Sequence, residues 1–475
     1  MSKEFIINCK KNESILEALR RQGITINALC GGRHSCGKCR ILLDETGMNE
    51  PSYDELTLIS EDDNSKGVRL ACFTAADRDI DEVRVTVIDD PESLAPILTD
   101  SEDIFIKKET SVHRQGTFAA IDLGTTTLAA KLIKDGETIY TGSRHNSQAG
   151  YGADVISRID IAIKGWSGEL KTCIENDIDA LLAEFPEQPE RLIMAGNTSI
   201  IHLLMGYPVD GMVKYPFKPH YSGWHKYAFR TADGGAIPCT ILPNLSAYIG
   251  GDIISGLYYC DFAWDNKVNL FVDLGTNGEM AIGNRDMILT ASAAAGPAFE
   301  GTPINVATDV VKCMADMKRT GIIDESGLLK DPYFDTGYCY EAEGINIEAG
   351  NRVTITQQDI RNIQMAKSAI RAGITILMNR YGVNSHNIDH MYLAGGMGQG
   401  LDMESAVSIG LFPAELAEKA VSVGNSSLAG CIKYGNLLRD DGDIDDILNV
   451  SKEILLANED DFSPLYYEHM LFDGD

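Results

Sequence analysis

Residues Phe118–Thr127 read F-A-A-I-D-L-G-T-T-T. Phe118, Ala119, Ala120 and Ile121 make an apolar run with the composition of a buried strand. It ends in Asp122, turns at Gly124 and presents three successive hydroxyls, Thr125, Thr126 and Thr127. A strand running into a glycine-containing hairpin exposes backbone N–H groups at its tip, the arrangement that cradles a phosphate. Asp122 stands where a carboxylate holds a hydrated Mg²⁺ or orients a water. One such loop is a weak signal, but Asn269–Met280 repeats it as N-L-F-V-D-L-G-T-N-G-E-M, about 150 residues later. Asp273, Gly275, Thr276 and Asn277 occupy the matching places. The repeat predicts two related lobes facing one nucleotide. Asp122 and Asp273 are then the catalytic carboxylates, and the Gly, Thr and Asn residues of both turns lie on the phosphates.

A chain of 475 residues exceeds what one core usually supports, so two or three domains are expected. It is 44% hydrophobic and 23% charged, ordinary for a soluble globular protein. The net charge of -29 argues against nucleic acid and membrane surfaces as partners, since phosphate neutralisation needs Lys and Arg in excess. ATP stays open, because backbone N–H groups and a metal bind it without a positive field. No apolar stretch of about 18 residues predicts a membrane span, and the opening M-S-K-E-F lacks a secretory pattern. Eleven cysteines then point to reduced thiols or metal ligands in a cytoplasmic protein.

Residues 1–89 read as a separate redox module. Phe5, Ile6 and Ile7 suggest an opening strand, and Ser14–Gln22 places Ile15, Leu16 and Leu19 at helical spacing before Gly23 stops the pattern. C-G-G-R-H-S-C-G-K-C then sets Cys30, Cys36 and Cys39 at C-x5-C-x2-C spacing, loaded with Gly31, Gly32 and Gly37. Cys72 follows in R-L-A-C-F, ahead of the alternating Val83, Val85 and Val87. A loop that folds three thiolates around one small inorganic group needs glycines. Structural zinc competes, but zinc sites pair C-x2-C with a second such pair or with two histidines. Nothing here matches, and His34, inside the loop, reads as solvated or as a neighbour of the ligands. A [2Fe–2S] cluster on Cys30, Cys36, Cys39 and Cys72 is therefore expected. Cys9, Cys173, Cys239, Cys260, Cys313, Cys339 and Cys431 lack metal spacing and read as small apolar residues. The module resembles ferredoxins of the adrenodoxin-like type, a β-grasp fold with three ligands in one loop and the fourth downstream. Residues 90–116, charged and interrupted at Pro91 and Pro96, read as a mobile tether with a docking strand at Ile104–Ile106; a fixed linker is the alternative.

In residues 117–475, Thr117–Leu132 and Thr138–Tyr140 begin an antiparallel meander, and Gly152–Ile163 and Glu169–Leu182 are helical by period. Leu192–Met205 is a strand, a turn and a helix capped by Asn197 or Thr198, with His202 a satisfied core histidine. Lys214–His225 reads as a packed aromatic loop, with a partner surface as the competing view. Pro243–Leu257 is rich in small residues and expected to be helical, and Ala291–Gly301 to open another helix with Pro297 in its first turn. Thr356–Tyr381 is a long helix with a capping box at Thr356 and Asp359. Its stripe is Ile360, Ile363, Ile370, Ile374 and Leu377; Gln364 and Lys367 fall on the polar side, within reach of a ribose. Met391–Gly400 is a strand into a glycine turn where an adenosine presses on the bare backbone of Gly395 and Gly396. Asn425–Cys431 is a second small-residue helix. Ile444–Leu456 is helical, and the aromatic C-terminus docks.

Hairpin, small-residue helix, second hairpin, adenosine loop, second small-residue helix: this order resembles the fold of acetate and sugar kinases, actin and the heat-shock ATPases. The resemblance implies an α/β, duplicated two-lobe ATPase, lobe I about 117–265 and lobe II about 266–475, with the small-residue helices crossing at the hinge. With a ferredoxin-like module in front, the chain resembles ATP-dependent reductive activators of corrinoid proteins. M-A-G-N-T, S-A-Y-I-G-G-D-I-I-S-G, D-L-G-T-N-G-E, A-A-A-G-P-A-F-E-G and L-A-G-G-M-G look like that group's signatures. This second resemblance implies ATP with Mg²⁺, a low-potential electron donor, and a corrinoid protein of a methyltransferase system returned from Co(II) to Co(I). Related activators also suggest a homodimer. Longer members carry an extra domain that the short linker here leaves no room for, and some use C-terminal [4Fe–4S] clusters whose cysteines this chain lacks. Coupling to ATP has a physical reason: each ~59 mV of uphill one-electron transfer costs about 1.4 kcal/mol. A small-molecule kinase with a redox-sensing domain, or a plain electron carrier, are the alternatives.

Overall fold

The computed structural model describes residues 3–473 apart from 25, 29, 35, 44–46, 60, 89–115, 276, 296–306, 341–352, 397, 399 and 438–441. The expected linker up to residue 115, including Ile104–Ile106, thus lies outside the described residues, as does Thr276.

Alternation makes the first strand one-sided: in β1 (Lys3–Cys9), Ile7 and Cys9 are buried while their neighbours face water. The helix α1 (Ile15–Arg21) starts at a capping box in which Ser14 and Glu17 satisfy each other's backbone N–H groups. β2 (Arg40–Leu43), α2 (Tyr53–Thr57), α3 (Glu61–Ser65), β3 (Arg69–Leu70) and β4 (Ile80–Val87) complete this unit. Its sheet runs β1-β4-β2-β3, and α1 closes a small core of Ile7, Leu16, Leu19, Ile41, Val83 and Val85.

The first phosphate-type hairpin sits at the centre of a second sheet. β5 (Thr117–Leu123), β6 (Thr127–Lys134) and β7 (Glu137–His145) form the expected meander. α4 (Val155–Ile161) and α5 (Ser167–Ala183) then return the chain to β8 (Arg191–Gly196), which pairs parallel to β5. α6 (Thr198–Met205), β9 (Gly223–Arg230), β10 (Ala236–Asn244) and α7 (Gly251–Tyr259) follow, giving the order β7-β6-β5-β8-β10-β9.

The third sheet repeats the plan. β11 (Asn269–Leu274), β12 (Gly278–Gly283) and β13 (Ile288–Ala293) are a second meander. α8 (Ala307–Arg319), the β14 (Tyr338–Tyr340) and β15 (Val353–Ile355) ribbon and α9 (Gln357–Tyr381) lead to β16 (His390–Ala394), parallel to β11. α10 (Met403–Ser408), β17 (Ala420–Gly424), α11 (Ser426–Asn436), α12 (Gly442–Val450), β18 (Ser451–Glu453) and α13 (Phe462–Glu468) end the chain. The order is β17-β16-β11-β12-β13-β18. A meander whose first strand takes a parallel neighbour after a helix, then a further strand and a small-residue helix, occurs in both halves. The duplicated two-lobe α/β fold expected from the hairpin repeat is the one observed. A shared core, including Phe118, Ile253, Phe271 and Leu428, joins the two sheets through α7 and α11.

Four elements differ from expectation. Pro243 and Asn244 end β10, and the small-residue helix begins only at Gly251. Ala291–Ala293 continues β13 because it pairs with Gly278–Met280, so no helix opens there; the rest of that stretch, Pro297 included, lies largely outside the described residues. The helix predicted to run to Leu456 ends at Val450, where Ser451–Glu453 leave it to pair parallel with β13. The helix predicted from Gly152 starts at Val155 and is broken near Gly165, whose φ of 103° no helix accommodates. Among the described residues no helix is long and apolar enough to cross a membrane.

Candidate functional site

The cysteine loop is built by tight turns. Gly31 and Gly37 have φ of 65° and 63°, and a Cβ on Gly37 would lie 2.6 Å from the Leu58 carbonyl. These turns bring the thiols together two by two. Cys39 Sγ and Cys72 Sγ are 3.4 Å apart, and Cys36 shares a hydrogen bond with Cys30 that pushes its thiol well up, as Cys39 does to Cys72. All eleven cysteines are free thiols. Among the described residues no group of three or more ligands is already arranged around a single metal ion. Two thiol pairs are instead the donor set of a two-iron cluster, whose irons each take two protein ligands, so these residues fit one. His34 is a neighbour of the ligands: its Nε2 lies 3.0 Å from the Cys72 carbonyl oxygen and its ring stacks on Phe73 at 4.1 Å.

The first hairpin is held by its carbonyls. Asn146 Nδ2 donates to Gly124 O at 2.9 Å, Arg158 Nη2 to Thr125 O at 2.6 Å, and Asn146 N to Thr126 O at 2.8 Å. The C=O and N–H of a planar trans peptide point opposite ways. The N–H groups of Thr125 and Thr126 are therefore turned away from the Asn146–Arg158 side. Asn197 caps α6 through Ile200 N and also donates to Thr125 Oγ1 at 3.1 Å, so the cap and the hairpin are one assembly. On the same helix His202 is satisfied in the core. Tyr221 N donates to Nε2 at 3.2 Å, which assigns the proton to Nδ1, 2.7 Å from Thr198 O.

The second hairpin meets the glycine turn. Gly395, φ 83°, sits so close that a Cβ there would lie 2.5 Å from Asp273 Oδ1 and 2.6 Å from Leu274 O. β16 runs parallel to β11 with Ala394 beside Asp273, which carries the Gly395–Gly396 turn to the hairpin. In lobe I the corresponding β8 carries Gly196 and Asn197 beside Leu123. The Gly395–Gly396 turn is thus the duplicate of the α6 cap.

Four carboxylates converge where the lobes meet. Asp122 accepts from Ser427 Oγ at 2.7 Å and Asn425 Nδ2 at 2.9 Å, both at the start of α11 in the other lobe. Burial raises its carboxyl above the ordinary range. Burial, then the Asp122 charge, raises Asp252 to about 7; burial, then Asp252 and Asp122, raises Asp273 to about 7. Glu279, across the ladder from Asp273, is pushed well up by burial and then by Asp252 and Asp273. Negative charges crowded in this way call for a cation. Among the described residues they do not form a group of three or more ligands arranged around a single metal ion. The two small-residue helices cross beside these carboxylates: a Cβ on Gly430 would fall 2.2 Å from Ser255 O, and Ser255 Oγ donates to Ser427 O at 2.7 Å. Small residues let α7 and α11 cross at backbone distance.

Gln364 and Lys367 are not on a polar face. Both are fully buried in α9. Gln364 Nε2 donates to Met470 O at 2.7 Å and Ser326 O at 3.0 Å, while Lys367 Nζ donates to His469 O at 2.6 Å and to Leu471 O. Docking of the C-terminal segment turns that side of the helix inward. Asp252 and Glu279 went unassigned in the sequence. Asp252 stands in the stretch singled out for its small residues and Glu279 in the second hairpin repeat, and the only signal for either was a carboxylate next to glycine.

Two family models match the chain: the RACo middle region over residues 118–265, and the C-terminal domain of RACo, the ASKHA domain, over 267–309 and 307–474. The chain is 27% identical over 422 residues to the corrinoid activation enzyme RamQ of Eubacterium limosum, covering 74% of this chain and 70% of that protein. It is 26% identical over 420 residues to the [Co(II) methylated amine-specific corrinoid protein] reductase of Methanosarcina barkeri, covering 73% and 75%. A shorter likeness, 35% over 75 residues, links 16% of this chain to 18% of one component of the Na(+)-translocating NADH-quinone reductase of Pseudoalteromonas atlantica. Among solved structures, a reductive activator for a corrinoid, iron-sulfur protein superposes with a TM-score of 0.66 at 23% identity. The match covers 98% of this chain and 96% of that one, and shows the shared fold.

Proposed function

From the premise that this chain belongs to the RACo family, its middle and C-terminal regions spanning residues 118–474, we propose that it is an ATP-dependent reductive activator of a corrinoid protein. One observation carries the reading: two hairpins from duplicated lobes bring Asp122 and Asp273, with Asp252 and Glu279, together where the lobes meet. The same lobe that holds the first hairpin also touches α1 through Arg20 and the cysteine loop through Gly31.

Residues 1–89 act as the redox module, 90–116 as the tether and 117–475 as the ATPase. Cys30 and Cys36, Cys39 and Cys72 hold a [2Fe–2S] cluster, which supplies one-electron chemistry at a potential near roughly −400 mV if it is of the plant type. The first hairpin directs the N–H groups of Thr125 and Thr126 at phosphates, and the matching turn at Gly275 and Asn277, closed by a hydrogen bond from Gly275 N to Asn277 O, meets them from the other lobe. Gly395 and Gly396 offer bare backbone to the adenosine. The crowded carboxylates hold Mg²⁺, which neutralises phosphate charge, and Asp273 orients the attacking water. Gln364 and Lys367, committed to the C-terminal segment, take no part. Nucleotide turnover moves α7 against α11, and the chain passes an electron from a low-potential donor to the partner's Co(II), regenerating Co(I) in the cytoplasm.

The test mixes the reduced protein with a Co(II) corrinoid protein, with and without MgATP, and follows Co(I) absorbance. Co(I) should accumulate only with nucleotide. Equal rates in its absence, or a phosphorylated small molecule as the product, would reject the reading.

A further inference from the structure

Residues Asn146–Arg158 separate the cysteine loop from the first hairpin and are gripped from both sides. From the cysteine-loop unit, Arg20 Nη2 donates to Gly150 O at 3.1 Å and Tyr151 O at 3.2 Å, and its Nη1 to Gly31 O at 3.3 Å. Its guanidinium also lies 5.3 Å from the centre of the Tyr151 ring. From the hairpin side, Arg158 Nε donates to Gly152 O at 2.7 Å, while its Nη2 holds Thr125 O at 2.6 Å. Three successive carbonyls, 150 to 152, are thus strung between two arginines, one in each unit. Gly31, between the first two cysteine ligands, presses on the same strip: a Cβ there would lie 2.9 Å from Tyr151 O. Arg33 adds an ion pair at 3.6 Å to Asp154, the residue that caps α4 and so aims Arg158.

Both arginine residues are almost wholly buried, at 6% and 1% exposure, and the hydrogen bonds just described all go to neutral carbonyls. Burying a charge in this way costs free energy that an apolar side chain of similar size does not. What the rigid fork supplies instead is fixed direction. Two events that order the same strip are linked, and the linkage is reciprocal.

We propose that Asn146–Arg158 is a relay coupling the seating of the cysteine-loop unit to nucleotide binding at the Gly124–Thr127 hairpin, with Arg20 and Arg158 as its positioning residues. The inference rests on the nucleotide reading of that hairpin. Seating fixes the carbonyls of Gly150 and Tyr151, this fixes Gly152 and Arg158, and Arg158 holds the hairpin with its N–H groups turned outward. Nucleotide binding in turn favours the seated arrangement.

Calorimetric titration of the full-length, cluster-loaded protein with MgATP tests it. Arg20→Met, which removes a side chain of the other unit, should weaken MgATP about fivefold or more with the visible cluster spectrum unchanged. Arg158→Gln should also weaken it, and the double variant should be no weaker than Arg158→Gln alone, since both break one relay. Arg20→Lys, which keeps the charge without the fork, should restore only part of the loss. Wild-type affinity in Arg20→Met, or losses that add in the double variant, overturns the relay while leaving the nucleotide reading intact. Should Arg158→Gln not fold, hydrogen exchange of the wild type decides. MgATP should slow exchange in α1 as well as in residues 146–158, and unchanged exchange in α1 overturns the relay. A wild-type chain that binds no MgATP overturns the nucleotide reading and the relay with it.

Discussion

Glu279 stands directly across the ladder from Asp273, whereas the matching partner of Asp122 in the first hairpin is Ala129. The extra carboxylate makes the second hairpin the more acidic side of the cleft. Because burial and two neighbouring aspartates push Glu279 well up, its ionised form is the unfavourable one in the folded protein. Glu279→Gln imitates the protonated group. The nucleotide-free variant should melt no lower than the wild type, while MgATP binding weakens roughly tenfold, about 1.4 kcal/mol. A lower melting temperature with unchanged MgATP affinity would place Glu279 in the fold alone. Asp122 and Asp273 were legible in the sequence because strand, aspartate and glycine turn are neighbours in the chain. Asp252 and Glu279 were not, since only the crossing of α7 beneath the hairpins and the register of β12 bring them to the same place.

At the scale of elements, α9 shows where pattern reading stops. Its capping box, apolar stripe and stop at Gly382 are all as the sequence indicates, because each is set within a few residues. Its second buried side is created by a segment about a hundred residues away, where Lys367 and Gln364 take the carbonyls of residues 469–471 and Ser368 that of Tyr466. Burial lowers Lys367 from its ordinary 10.5 to about 7. The unfolded chain then holds this proton more readily than the folded one between about 7 and 10.5, so this side chain's contribution to stability rises with pH across that window and is lost as pH falls through about 7. The melting temperature of the wild type relative to Lys367→Met should therefore improve between pH 7 and pH 9. A difference that stays flat over that range would mean Lys367 remains charged against the carbonyls and the Phe472 ring. The same limit explains β10 and β13. Small residues read as helix in Pro243–Asn244 and Ala291–Ala293, but neighbouring strands already claimed those backbone groups.

At the scale of the whole molecule, the two hairpin aspartates that look equivalent in the sequence are not. Asp122 belongs to lobe I yet accepts its hydrogen bonds from Asn425 and Ser427 of lobe II, so it is a tie across the hinge as well as a cleft carboxylate. Asp273 lies against Gly395 of its own lobe. Asp122→Asn turns an amide donor toward Asn425 or Ser427 and removes charge-assisted bonds worth about 2 kcal/mol; Asp273→Asn leaves the tie intact. Both variants should keep much of their MgATP binding, since the backbone N–H groups of the turns remain, and both should lose Co(I) formation by roughly a hundredfold, the scale of one misplaced electrostatic group. They should part in shape. Small-angle scattering of the nucleotide-free protein should show a larger radius of gyration for Asp122→Asn than for the wild type, with Asp273→Asn unchanged. If both variants scatter as the wild type does, the Asp122 bonds do not hold the lobes, and closure is set by the other contacts between them, the Ser255–Gly430 helix crossing among them. If Asp273→Asn still forms Co(I) at the wild-type rate, hydrolysis is not what drives the electron uphill.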